Sequence, residues 1–176
     1  MQGLSSIVIC ALKYGWKHKP GGKLALCFVI KTFPIMRIDI PADKKFVHET
    51  VIPLRWGDMD AFGHVNNTLY FRYMEQGRIH WIESFGFGAH HDEGGALIAN
   101  AFCNFYAQVS YPADIVVRTY IGKVGRTSVD TYNLMSLASN PEELCAAGGA
   151  TLVWVNLKTN RPAPWPEPIK QNLGLR

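Results

Sequence analysis

The chain has 176 residues, 48% of them hydrophobic, with 18 Lys+Arg, 14 Asp+Glu and four cysteines, which suits one domain around a single core and excludes a disordered chain. Residues 1–38 hold Lys13, Lys17, Lys19, Lys23, Lys31 and Arg37 and no acid, so the net charge of +4 comes from them. The other residues carry more acids than bases and no electrostatic footprint for nucleic acid.

Within 1–38, two short apolar runs (7–12 and 24–30) flank a basic stretch, and neither reaches the ~20 residues of a membrane span. No small-residue cleavage pattern follows them, and the segment is too poor in Ser and Arg for an organelle transit peptide. Met36 opens Met36-Arg37-Ile38-Asp39-Ile40-Pro41, after which the sequence reads as an ordinary cytoplasmic domain. We therefore expect Met36 to be the natural start and the basic leader, 1–38, to be non-native or disordered. Cys10 and Cys27 lie inside it, and Cys103 and Cys145 fall in strand-like sequence where buried thiols are the default.

Residues 46–56, rich in β-branched and aromatic side chains, predict a strand. Turn chemistry follows at 57–64, then Asn66-Asn67 offers N-cap side chains to a helix over 68–85. Its apolar residues occupy most of the circumference, which predicts a helix enclosed on several sides. Gly77 in its middle predicts a close neighbouring backbone, and Gly86 and Gly88 end it.

Beyond a polar loop at 90–95, residues 97–111, 115–124, 128–138 and 144–157 predict four strands, with turns at 112–114, 125–127 and 140–143. Such short links imply antiparallel neighbours. Gly148-Gly149 predicts a bulge or close helix packing. The proline-rich end is expected to be extended or disordered, with 169–176 as a tail. The sum is an α+β fold: a curved antiparallel sheet wrapped round one long central helix.

Polar residues concentrate at Asp58, Asp60, His64, Asn66 and Asn67, between the first strand and the helix. A carboxylate there sits beside free N–H groups at a positive dipole end. Such amides can hold a developing oxyanion while the carboxylate attacks or activates water. Asp60 with the N–H groups near Asn67 thus outlines an acyl-transfer site, although the same residues also serve as ordinary turn and cap residues.

The run Arg55-Trp56-Gly57-Asp58-Met59-Asp60-Ala61-Phe62-Gly63-His64-Val65-Asn66-Asn67-Thr68-Leu69-Tyr70 resembles the signature of hotdog-fold acyl-CoA thioesterases, the hydroxybenzoyl-CoA thioesterase-like family. The element order over 44–168 agrees with that fold. The resemblance implies hydrolysis of an acyl-CoA, with Asp60 as the catalytic carboxylate and the Asn67 backbone N–H aimed at the thioester carbonyl. It also implies a homodimer or dimer of dimers with the acyl group at the subunit interface. Plant acyl-carrier-protein thioesterases share His-Val-Asn-Asn but carry a catalytic Asn where Phe62 stands here. His64 and Glu75, a turn or two into the helix, are further candidates, and Tyr70, Phe71 and Tyr73 are core residues of which one could border the acyl pocket.

The remaining motifs carry less. Asp58-x-Asp60 opens like a calcium loop, but Phe62 and Leu69 replace oxygen ligands. His90-His91-Asp92 lacks a distant third ligand and reads as a solvated turn. There is no Gly-x-Ser-x-Gly elbow and no phosphate loop, so no metal or cofactor is expected. A hydratase or dehydratase of this fold usually places Pro near its His, and Val65 and Asn66 follow His64 instead. A non-catalytic acyl-CoA sensor is the third reading.

Overall fold

The computed structural model describes residues 37–86, 90–91 and 94–175; residues 1–36, which hold nearly all of the basic leader, lie outside it. Seven antiparallel strands form one curved sheet: β1 (Lys45–Pro53), β2 (His90–His91), β3 (Gly94–Phe105), β4 (Asp114–Val124), β5 (Ser128–Leu137), β6 (Asn140–Asn156) and β7 (Arg161–Pro162). Their spatial order is β1-β4-β5-β6-β3-β2, with β7 against β6. Helix α1 (Asn67–Glu83) lies on the sheet, and a second helix, α2 (Glu167–Leu173), follows β7.

The side-chain period shows why this sheet takes a helix on one face. Along β5, Val129, Thr131, Asn133 and Met135 are buried, alternating with partly exposed neighbours. On α1 the buried residues are Tyr70, Tyr73, Met74, Gly77, Arg78, Trp81 and Ile82, spaced by three and four along one stripe. Phe71, Arg72 and Gln76 form an exposed strip. The expected enclosure on several sides is thus limited to the sheet-facing side within one chain.

Two glycines set how closely helix and sheet approach. A Cβ on Gly77 would lie 3.0 Å from Thr119 Oγ1 and Val117 Cγ1, so the approach is close, but side chains of β4 meet the helix there rather than the neighbouring backbone expected. A Cβ on Gly148 would lie 2.3 Å from the Phe102 carbonyl and 2.7 Å from Met74 Sδ. The ladder runs through Gly148 and Gly149 without a shift, so close packing rather than a bulge accounts for that pair.

Three sequence expectations are corrected. The strand expected over 97–111 leaves the sheet after Phe105: Tyr106 N and Ala107 N both donate to the Cys145 carbonyl, and Val109 O takes Val65 N at 2.8 Å instead. The turn expected at 140–143 is already strand, since β6 begins at Asn140, opposite Leu137. The C-terminal segment is folded. Pro166 precedes α2, where proline costs no hydrogen bond, and Ile169 and Leu173 are buried against Trp154 and Trp165.

Candidate active site

The stretch between β1 and α1 is held by hydrogen bonds centred on Asp58. Its Oδ2 accepts from Arg55 N and from the Tyr73 hydroxyl, each at 2.9 Å. Its carbonyl accepts from Asn66 N at 3.0 Å, so one residue ties the preceding turn, the helix and the end of the loop. Burial, reinforced by the bond to Asp58, pushes the Tyr73 phenol well above its ordinary range.

Asp60 sits inside this clamp. Asp60 N donates to the His64 carbonyl at 2.7 Å and Gly63 N to the Asp60 carbonyl at 3.0 Å, closing a tight loop in which Gly63 takes φ 75°, a conformation glycine adopts without steric cost. The Asp60 Oδ1 accepts from Phe62 N at 2.8 Å and His64 N at 3.3 Å, an Asx-type turn. Among the described residues, nothing donates to Oδ2. The side chain is oriented by one oxygen and leaves the other available.

At the helix start, Asn66 is the N-cap and its Oδ1 accepts from Thr68 N at 3.0 Å. Asn67 is the first helical residue, and its N–H meets no acceptor among the described residues, one of the orphan donors every helix start leaves. Asp60, His64 and Asn67 line one cavity of about 460 Å³, with Tyr70 and residues 105–108 among its walls. Tyr70 stands edge-on to Phe105 at 5.1 Å between ring centres, and burial pushes its phenol up to about 12, so it stays neutral at ordinary pH. At the mouth, Phe62 is 84% exposed.

The structure therefore brings together three of the four residues singled out in the sequence. Glu75 lies elsewhere, pairing with Arg72 and lining a separate cavity of about 250 Å³. Sequence reasoning passed over the wall at 105–108. It looked like continuous strand, and the polar Gln108 inside an otherwise β-prone run was the one local sign of a break. Cys103 and Cys145 are free thiols. Burial raises both, Cys103 to about 12, which leaves them unreactive. No helix among the described residues is long and apolar enough to cross a membrane.

An antiparallel sheet carrying one helix is the layout of a hotdog fold. Residues 54–173 match the thioesterase-like superfamily, and the chain belongs to that family. It is 29% identical over 130 residues to the chloroplastic acyl-acyl carrier protein thioesterase ATL2 of Arabidopsis thaliana, a match covering 72% of this chain and 68% of the relative. Among solved structures, the PA2801 protein of Pseudomonas aeruginosa is 35% identical with a TM-score of 0.70, over 73% of this chain and 99% of that one. The DHNA-CoA thioesterase of Staphylococcus aureus shares the fold at 19% identity and a TM-score of 0.64, over 72% of this chain and 90% of its own.

Proposed function

We propose that the protein hydrolyses an acyl-CoA thioester to free acid and CoA, with Asp60 as nucleophile or general base. The observation that carries this reading is the pairing in one cavity of a half-free carboxylate and an acceptor-free N–H: Asp60 Oδ2 and Asn67 N. The acyl carbon lodges between them. Either Asp60 attacks it, giving a mixed anhydride that water then opens, or Asp60 takes a proton from an attacking water. In both routes the bond to sulfur breaks, CoA leaves as its thiolate, and the Asn67 N–H donates a hydrogen bond to the carbonyl oxygen on which negative charge develops. His64 borders the reacting groups, and Tyr70 and Phe105 offer an apolar wall to the acyl chain.

The likeness to an acyl-carrier-protein thioesterase favours a second carrier for the same chemistry, in which the acyl group arrives on a protein-bound pantetheine. A thiol-release assay on a panel of acyl-CoAs, repeated with acyl carrier protein, tests both. Hydrolysis in the wild type that is lost in Asp60→Asn, with an unchanged circular dichroism spectrum, supports the reading. Binding without turnover in the wild type overturns it in favour of a sensor, and hydration of an enoyl-CoA in favour of a hydratase.

A homodimer or dimer of dimers completes the proposal. From Ala96 to Phe105 the outer edge of β3 carries no partner strand among the described residues, and Leu97, Ile98 and Phe105 on it are 48%, 47% and 45% exposed. A long apolar edge of this kind is a template for pairing, and Phe105 ties it to the Asp60 cavity. The free thiols suit a reducing, cytoplasmic setting.

A further inference from the structure

The carboxylate and the amide that share the cavity stand on opposite arms of a narrow ribbon. At its base Asn66 N donates to the Asp58 carbonyl at 3.0 Å, Met59 then bridges Val65, and Asp60 N donates to the His64 carbonyl at 2.7 Å. These bonds set the width of the ribbon. They do not set its tilt on α1, and the tilt decides how Asp60 faces the Asn67 N–H, because that N–H runs nearly parallel to the helix axis.

One side chain bears on the tilt. Tyr73 lies almost two turns beyond Asn67, about 9 Å along the axis, and helical side chains lean back toward the N-terminus. Tyr73 is 5% exposed, and its hydroxyl donates to Asp58 Oδ2 at 2.9 Å. Among the described residues, no other side chain of α1 hydrogen-bonds to the stretch from Leu54 to Val65. Loss of water and the bond to Asp58 both oppose ionisation of the phenol, so the contact persists at ordinary pH. Tyr73 does not line the Asp60 cavity, and any effect it has there passes through Asp58.

We propose that Tyr73 is a positioning residue: through Asp58 it fixes the angle between the Asp60 loop and α1, and so holds the Asp60 carboxylate and the Asn67 N–H at the spacing an acyl carbon needs. The inference rests on the thioesterase reading above and adds to it a residue that touches neither substrate nor reacting atoms. Tyr73→Phe removes the hydroxyl and keeps the ring in the core, while Asp58 retains its bond from Arg55 N, so the loop stays folded and only its brace is lost.

The test is steady-state thiol release from the acyl-CoA that the wild type turns over fastest. A misplacement of about 1 Å can cost a hundredfold in rate, so Tyr73→Phe should lower kcat about ten- to a hundredfold, with KM changed by less than about twofold. Asp58→Asn keeps a side-chain oxygen able to accept both bonds and should recover most of kcat. Asp58→Ala should lose at least as much as Tyr73→Phe, and combining the two should lower kcat no further. Trp165→Ala, at the far end of the helix, is the control that lowers stability with kcat kept. Hydrogen exchange gives a readout without substrate: in Tyr73→Phe the Asp60 and Asn66 amides should exchange about tenfold faster while those of β5 do not change.

The proposal is overturned by an active wild type whose Tyr73→Phe variant keeps kcat, by a rise in KM at constant kcat, or by additive losses in the double variant. Should Asp58→Ala fail to fold by circular dichroism, Tyr73→Phe and Asp58→Asn decide. A wild type that hydrolyses no thioester overturns the hydrolase reading instead, and unchanged exchange at Asp60 and Asn66 then overturns the brace as well.

Discussion

The two ends of α1 rest on the same sheet and have opposite characters. At the C-terminal end, Trp81 and Ile82 pack with Trp154, Trp165, Ile169 and Leu173, and α2 closes the cluster. At the N-terminal end, Val65, Tyr70, Tyr73 and Met74 pack with Val109 and Met135, but the chain stops short of filling the space above them and leaves the cavity of Asp60 and Asn67. One end is closed by packed indoles and aliphatic side chains, and the other keeps an open cavity. Indole rings bury large apolar areas, so the closed end contributes stability, which leaves the open end free to keep an unpaired carboxylate oxygen and an unpaired amide.

If that division holds, variants at the two ends should separate activity from stability. Asp60→Asn should lower turnover a thousandfold or more, about 4 kcal/mol of barrier, with little change in the denaturant midpoint; a midpoint shift as large as the activity loss would break the comparison. Trp165→Ala removes a ring lying 5.8 Å from Trp154 and a bond from its Nε1 to the Gly125 carbonyl. It should cost about 3–5 kcal/mol in urea unfolding while the folded fraction keeps its turnover.

Asn66→Ala deletes the cap and should cost about 1 kcal/mol in the same measurement, a modest effect because Asp58 still holds the loop through its carbonyl. The smallest effect concerns pH. Burial, then the nearby His80, lowers the His48 imidazole below its usual 6.5, so the unfolded chain binds this proton more readily. Its contribution is fully present above about pH 6.5 and should fade as pH falls below that value. A His48→Gln variant should show a flatter midpoint between pH 7 and 5, and an unaltered slope would remove the assignment.

The strands and the helix were legible because their periods are local: β5 alternates by two, and α1 repeats by three and four. The Asp60 loop was legible because Gly63, the Asx turn and the Asn66 cap are chemical demands of adjacent residues. Some features left no local trace. Ile169 and Leu173 in the proline-rich tail belong to a helix that packs on the indoles of Trp81, Trp154 and Trp165, and a seven-residue helix has little stability of its own. Residues 106–108 depart from β3 because Cys145 and Val65 supply bonding partners for the backbone of Tyr106, Ala107 and Val109, which no window of sequence contains. Arg78 reads as a surface cation until Asn133 and Thr119, both distant in sequence, are seen beneath it.

By itself, the sequence determined the succession of one strand, one long helix and four strands, the loop that presents Asp60 and the cap from which the helix starts, because hydrogen bonds and dihedral preferences between near neighbours decide such features. Only the tertiary structure decided which end of the helix stays open, where the second wall of the cavity comes from and which charge is buried. Those outcomes depend on contacts between residues far apart in the chain, and burial belongs to the assembled fold rather than to any one segment of it.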